Sequence, residues 1–266
     1  MGFVDEVTES DEWWTDDDEP REIFRRGEFV HRTPQSWTPA VADLLGYLES
    51  VGYEASSRHR GYDQEGREIL TLVTGEDGPV SWPYLHTDAG LASVARLLRS
   101  YHDAIAGYQP PPETAWADST GSPGAGEVMC HGDFAPWNLT WRDGVAVGIF
   151  DWDFVRPASP MFDVMYAMDW TVPFRDDETV RDFHHFQDIP DRAHRVRVFL
   201  DAYGVHDVPG NVAAEVAIVR RQTKLTTAAL AARGLEPQAQ WVANGLLNTS
   251  EETTQWIEAN ARLFQP

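Results

Sequence analysis

The most informative residues of this sequence read H-G-D-F-A-P-W-N at 131–138 and G-I-F-D-W-D at 148–153. Asp133 stands five residues before Asn138, and Asp151 follows an apolar run. The tripeptide R-D-G between the two stretches is a hairpin turn signal. A loop between a strand and a hairpin can present Asp133 and Asn138 to one cleft, and the next strand can deliver Asp151 beside them.

Side chains of this kind at this spacing suit the transfer of a phosphoryl group from a magnesium nucleotide. The carboxylate of Asp133 can accept the proton of an attacking hydroxyl. The oxygens of Asn138 and Asp151 are ligands of the type that magnesium takes in proteins. Two carboxylates so close repel each other unless a cation neutralises them, which also favours a metal site.

Composition excludes several classes of protein. The chain has 266 residues, 42% of them apolar, and a formal net charge of −22. Nucleic acid is therefore not an expected partner, because its binding depends on clustered Lys and Arg. The single cysteine, Cys130, excludes an internal disulfide. Without a leader or an apolar run of about 18 residues, we expect no membrane span and a soluble, cytoplasmic protein.

Hydrophobic periodicity predicts strands early in the chain and helices late. Residues 22–32 read as a hairpin, and residues 59–62 and 68–73 as further strands. Residues 74–79 break the order and predict a hinge. Apolar positions at helical spacing predict helices at 38–50, 88–104, 161–170, 190–203, 211–233 and 236–263. This order indicates an α+β architecture with a smaller, sheet-rich lobe.

The motifs together resemble the aminoglycoside phosphotransferase family of the protein-kinase-like superfamily, which is related to choline and homoserine kinases. The resemblance rests on residues 131–138, on I-F-D-W-D, and on P-M-F-D-V-M-Y-A at residues 160–167. It implies a two-lobed protein-kinase-like fold. Residues 1–22 would be an acidic N-terminal arm, 23–78 the N-lobe that covers the nucleotide, and 79–266 the larger helical C-lobe.

The resemblance also implies a role for each residue that matches the family motif. Asp133 would be the catalytic base, and Asn138 and Asp151 would hold Mg²⁺. His131 would pack and fix the loop, and Asp163 would cap and brace the following helix. The implied cosubstrate is ATP or GTP, and the implied acceptor is a hydroxyl of a small molecule.

The N-lobe departs from the family pattern. Family members usually carry a glycine-bearing loop over the phosphates and a lysine on the third strand, whereas residues 14–30 hold one glycine and no lysine. Arg32 is the best match to that lysine, with Glu49 as its expected partner on the helix. The backbone around Thr71, Val73 and Gly75 would face the adenine. This departure keeps open the alternative of a non-catalytic pseudokinase that acts as a binding or immunity module.

An acceptor pocket is expected from Asp151 onward. Aromatic and acidic side chains there suit an amine-bearing alcohol or antibiotic, through ion pairs or cation–π contacts. The alternative is that Tyr166 and Trp170, spaced four residues apart, form a core stripe. The candidates for binding the acceptor are Trp152, Asp153, Tyr166, Asp169 and Trp170.

Phosphatase chemistry is an alternative reaction class for this sequence. The D-W-D triplet at residues 151–153 also resembles the aspartate pair of haloacid-dehalogenase-type phosphatases. That chemistry needs a lysine downstream, and the single lysine of the chain, Lys224, falls inside a predicted amphipathic helix. Kinase-like transfer is therefore the favoured prediction.

Overall fold

The computed structural model describes residues 12–13, 22–78, 82–207 and 210–266. Its strands are β1 (Glu12–Trp13), β2 (Ile23–Arg26), β3 (Phe29–Arg32), β4 (His59–Tyr62), β5 (Glu68–Thr71), β6 (Val128–Cys130), β7 (Leu139–Arg142), β8 (Val145–Ile149) and β9 (Arg156–Ala158). Its helices are α1 (Thr38–Ser50), α2 (Trp82–Leu85), α3 (Asp88–Ile105), α4 (Met161–Thr171), α5 (Asp177–Asp182), α6 (Arg192–Tyr203), α7 (Val212–Ala232), α8 (Gln238–Ala243) and α9 (Leu246–Ala259). The predicted α+β architecture is confirmed.

The predicted acidic arm, residues 1–22, lies outside the described residues apart from 12–13 and 22. The predicted lobe boundary at 78/79 also meets a segment, 79–81, outside them. Both assignments therefore stay predictions.

The N-terminal sheet is antiparallel, with the strand order β1-β2-β3-β5-β4. The predicted hairpin of β2 and β3 forms because Gly27 takes a positive φ of 63° at the turn. On α1 a proline opens the first turn, and Val41, Leu44 and Leu48 are buried at helical spacing. In this strand order β3, which carries Arg32, is the central strand of the sheet.

The turn between β4 and β5 is fixed by the buried carboxylate of Asp63. It accepts hydrogen bonds from the backbone amides of Glu65 (3.1 Å) and Arg67 (2.8 Å). It also pairs with the Arg67 guanidinium at 2.8 Å and with His31 Nδ1 at 3.0 Å. Burial raises the pKa of this carboxyl, but the Arg67 and His31 hydrogen bonds outweigh it and lower the pKa to about 2.

Asp63→Asn should reduce the free energy of unfolding by about 1–2 kcal/mol at pH 7. The folded pKa lies below the unfolded one, so this stability is complete above about pH 4. It is lost as the pH falls through about 2. Urea unfolding at pH 7 and at pH 3 measures the unfolding free energies of the parent protein and the variant. The difference between the two free energies should be smaller at pH 3. The same free-energy difference at pH 7 and pH 3 would contradict the lowered pKa of Asp63.

The C-terminal part is mostly helical around two small sheets. β7 and β8 form the predicted hairpin, and β6 pairs with β9, a strand that the sequence did not predict. The predicted helix 236–263 is wrong as one element: it is divided into α8 and α9 at Gly245, which takes a φ of 92°. A left-handed residue cannot continue a right-handed helix.

The hydrophobic core runs along α3, which packs against α6 and β8. Leu91, Val94, Leu98 and Tyr101 of α3 are fully buried. In the described ranges we find no helix with both the length and the apolar character that a bilayer crossing requires.

Candidate active site

The loop that follows β6 is held in shape by a glycine. Gly132 has a φ of +83°, and a Cβ atom there would lie 2.0 Å from the carbonyl oxygen of Phe154. Any side chain would therefore displace the loop from the segment that carries Asp151 and Asp153. Glycine at 132 is a steric requirement of the site.

Asp163 organises the same loop from below. Its carboxylate accepts hydrogen bonds from the backbone amides of His131 (2.6 Å) and Gly132 (2.9 Å). His102 Nε2 lies 3.1 Å from it. Burial raises the pKa of Asp163, but these partners hold the pKa below its ordinary value. We expected Asp163 to cap α4; it lies in the first turn of α4 but supports the preceding loop instead.

His131 is completely buried beneath this loop. Its Nε2 lies 3.1 Å from the carbonyl oxygen of Phe150, and its ring packs against that of Trp152 at 4.7 Å. Burial lowers the pKa of His131 to about 4, so the ring is neutral at physiological pH. These contacts are those of a packing residue.

Asp133 is half-buried and held by donors on both oxygens. The Tyr166 hydroxyl donates to Oδ1 at 2.5 Å, and Asn138 Nδ2 donates to Oδ2 at 2.9 Å. Trp137 Nε1 lies 3.4 Å from Oδ2. Desolvation, with the nearby charge of Asp151, raises the pKa of Asp133 to about 7 in spite of these bonds. A carboxylate with such a pKa is suited to accept a proton at neutral pH.

Asp151 directly follows β8 and takes a φ of 59°, which is uncommon for a residue with a side chain. Strain of this kind is often found at functional sites. The side chain is 42% exposed, so a cation in the cleft can reach it. The Nδ2 of Asn138 is used for Asp133, which leaves its oxygen as the group for a cation. These oxygens are chemically suited to Mg²⁺.

Arg32 enters the site from β3 and is buried. Its Nε donates to Glu68, its Nη1 lies 3.4 Å from Asp151 Oδ1, and its Nη2 lies 3.1 Å from Asp153 Oδ1. Burial lowers the pKa of Arg32, but the three carboxylates together raise it above its ordinary value. Arg32 therefore remains charged and ties the N-terminal sheet to the metal-site candidate.

The predicted pairing of Arg32 with Glu49 is wrong. Glu49 lies near the end of α1 and binds Arg60 at 2.9 Å and 3.0 Å. Glu68, directly opposite Arg32 on β5, takes its place as the partner. Cross-strand neighbours are closer than a residue on a helix that packs elsewhere.

The predicted hinge is joined to the β7–β8 hairpin. Glu76 and Trp141 exchange backbone hydrogen bonds of 2.8 Å in both directions. Thr71 and Val73 line the central cavity, but Gly75 is not among the lining residues. A Cβ at Gly75 would lie 2.7 Å from that of Thr140, so this glycine permits close packing rather than ligand contact.

The predicted acceptor residues separate into two groups. Trp152 is 1% exposed and packs against Tyr101, so its assignment to the acceptor pocket is wrong. Asp153, Tyr166, Asp169 and Trp170 do line the cavity. Tyr166 also has a contact that the sequence did not predict, because it holds Asp133.

The cavity between the sheet and the helices has a volume of about 1010 Å³. This is large enough for a nucleotide and a second small molecule. The sequence missed several of its charged lining residues, because they come from distant segments with no motif: Asp118, Arg156, Arg175, Arg220 and Glu236.

Comparison with known proteins adds independent information. A profile of the phosphotransferase enzyme family matches residues 112–199. A curated relative, the trifolitoxin immunity protein of Rhizobium leguminosarum bv. trifolii, is 34% identical over 188 residues, or 69% of this chain and 70% of the relative.

Solved structures share the fold at low identity. The amicoumacin kinase hAmiN, in complex with AMP-PNP, Ca²⁺ and Ami, superimposes with a TM-score of 0.61 at 10% identity, covering 98% of this chain and 91% of the kinase. The aminoglycoside phosphotransferase APH(2'')-Ib bound to ADP gives a TM-score of 0.54 at 12% identity, covering 96% and 94%. The kinase-like fold predicted from the sequence is confirmed.

Proposed function

This chain belongs to the phosphotransferase enzyme family, and from that premise we propose that it transfers the terminal phosphoryl group of ATP to a hydroxyl group of a small molecule. The observation that carries the proposal is the arrangement around Asp133. Its carboxylate has a pKa of about 7, is oriented by Tyr166 and Asn138, and lies on a large cavity.

In the proposed reaction the acceptor hydroxyl oxygen attacks the γ-phosphorus. The bond between that phosphorus and the β–γ bridging oxygen breaks, and ADP leaves. The hydroxyl proton passes to a carboxylate oxygen of Asp133 as the new bond forms. The Tyr166 and Asn138 hydrogen bonds fix the direction of this carboxylate, so that it is in place before the reaction begins.

Asn138 and Asp151 would hold Mg²⁺, which would neutralise part of the negative charge of the nucleotide phosphates. Arg32 is the cation that this chain offers where relatives usually carry a lysine. Its guanidinium contacts Asp151 and Asp153 and reaches the cavity. We propose that it contacts nucleotide phosphate from this position, since a guanidinium can donate two hydrogen bonds to one phosphate.

Asp151→Asn tests the metal site. With about 5 mM ATP and excess Mg²⁺, the midpoint of thermal unfolding of the parent protein should rise by about 2 °C or more, and EDTA should remove the rise. The variant should show no rise, because a neutral amide binds Mg²⁺ weakly. Differential scanning fluorimetry measures both.

Asp143→Asn is the matched control, because Asp143 also has a positive φ, 52°, in the β7–β8 turn. The same substitution there should keep the full ATP response. A parent protein that shows no magnesium-dependent response to millimolar ATP would contradict the proposed function.

A second candidate function follows from the immunity protein that is 34% identical to this chain. The chain would protect a cell from a toxin by binding it, with no phosphoryl transfer. Expression in a trifolitoxin-sensitive strain compares the two candidates. Protection that persists in the Asp133→Asn variant favours binding alone, whereas protection that is lost in a folded variant favours transfer.

A further inference from the structure

The part of the cavity farthest from the sheet is formed by α4, α7, α8 and α9, and we call it the acceptor half. Its lining includes Trp170, Trp241 and hydroxyl side chains of α7 and α9. The cationic side chains that line the cavity besides Arg32 are Arg156, Arg175, Arg220 and Lys224, of which Lys224 is paired with Glu251 at 2.9 Å. This set differs from the acidic pocket that the sequence predicts.

Asp169 is already neutralised by two arginines. Arg220 Nη1 lies 2.5 Å from Oδ2, and Arg175 binds both oxygens. Because the Asp169 carboxylate carries one negative charge, the trio has a net positive charge. Burial, together with the neighbouring charge of Arg220, lowers the pKa of Arg175 although Asp169 raises it. The Asp169 carboxylate is therefore already paired and is not available to bind an ammonium group.

Two further carboxylates that line the cavity are also paired with arginine. Asp118 binds Arg156 at 2.9 Å, and Asp153 binds Arg32 at 3.1 Å. The buried Nε of Arg156 has no hydrogen-bond partner among the described residues. A buried donor without a partner costs free energy.

The cationic cluster lies close to the proposed base. Tyr166, which binds Asp133, and Asp169, which binds Arg220, are three residues apart on α4. Residues at this spacing lie on the same face of a helix, about 5–6 Å apart at their Cβ atoms. A small molecule could therefore present a hydroxyl to Asp133 and an anionic group to Arg220 at the same time.

We infer that the acceptor is a hydroxyl compound that carries a carboxylate, bound by Arg220 with Arg156 and Lys224 nearby. This inference rests on the proposed function, and it replaces the amine-bearing acceptor predicted from the sequence. The net charge of −22 would attract amines in general. Inside the cavity, however, the short-range contacts with arginine determine the selectivity.

Matched probes test the inference. We suggest 4-(hydroxymethyl)benzoate, 4-(hydroxymethyl)benzamide and 4-(hydroxymethyl)benzylamine, together with the three hydroxyethyl homologues. The aromatic scaffold suits the tryptophans of the cavity. Calorimetric titration without nucleotide should show that one carboxylate binds about tenfold or more tightly than its amide and amine. Mass spectrometry with ATP and Mg²⁺ should find phosphate on the same compound.

Arg220→Gln should reduce carboxylate affinity to that of the amide and leave amide affinity unchanged, because Asp169 keeps Arg175 as a partner. Arg221→Gln is the matched control on the same helix: Arg221 is exposed, pairs with Glu258, and does not line the cavity. Circular dichroism and the thermal midpoint report folding. If Arg220→Gln does not fold, Arg220→Lys should retain part of the carboxylate preference, since it retains the charge.

The outcomes separate this inference from the proposed function. Tightest binding by an amine, equal binding of all three compounds, or no carboxylate binding at about 10 mM overturns the inference. A missing response to ATP and magnesium overturns the function alone, because carboxylate binding is measured without nucleotide. Carboxylate preference that survives in Arg220→Gln also overturns the inference, since another residue would then bind the anion.

Discussion

Replacing Asp133 with asparagine should lower the turnover number of phosphoryl transfer by about 10²–10⁴-fold. The amide cannot accept the proton of the attacking hydroxyl, while Asp151 and the cavity walls that would hold the nucleotide are unchanged. The dissociation constant of ATP with magnesium should therefore remain within about a factor of three. Steady-state kinetics and calorimetric titration measure the two quantities separately.

Tyr166→Phe provides the comparison for Asp133→Asn. It removes the hydroxyl that donates to Asp133 Oδ1 but keeps the ring and the base. Turnover should fall less than in Asp133→Asn, because the carboxylate is still present but less well oriented. If Asp133→Asn weakens nucleotide binding as much as it slows turnover, Asp133 is a metal ligand or a structural residue rather than the base.

Replacing Asp163 with alanine should reduce the free energy of unfolding by about 3–5 kcal/mol. The carboxylate is fully buried and accepts hydrogen bonds from the backbone amides of His131 and Gly132. His102 Nε2 also lies 3.1 Å from it. Its removal leaves the two buried amide N–H groups without an acceptor, and it opens a void beneath the loop at residues 131–138. The loop that presents Asp133 should lose its fixed geometry, and turnover should fall with stability.

Urea unfolding at pH 7 measures the effect of Asp163→Ala. Asp201→Ala is the control, because Asp201 is an exposed aspartate on α6. Its loss should change the unfolding free energy by less than about 0.5 kcal/mol. A loss of less than about 1 kcal/mol at Asp163 would mean that the loop amides find other acceptors, and that Asp163 does not support the loop.

Local sequence signals predicted most of the helices and strands and the local geometry around the candidate site. The short-range signals at residues 131–138 and 148–153 predicted a loop, a hairpin and a strand end, and the structure has all three. Asp133 and Asn138 are brought to 2.9 Å by five residues of chain. Contacts of this kind need no long-range information, because the 3₁₀ turn at Pro136–Asn138 lies within the same short stretch of chain.

The choice of partner in each ion pair depends on tertiary packing. Arg32 pairs with Glu68 through strand register and with Asp151 across 119 residues, and Asp169 pairs with Arg220 across 51 residues. The sequence predicted Glu49 as the partner of Arg32, and it predicted that Asp169 would belong to an acidic acceptor pocket. An ion pair depends on distance in space and on burial, and a linear pattern encodes neither for segments that come together only when the chain packs.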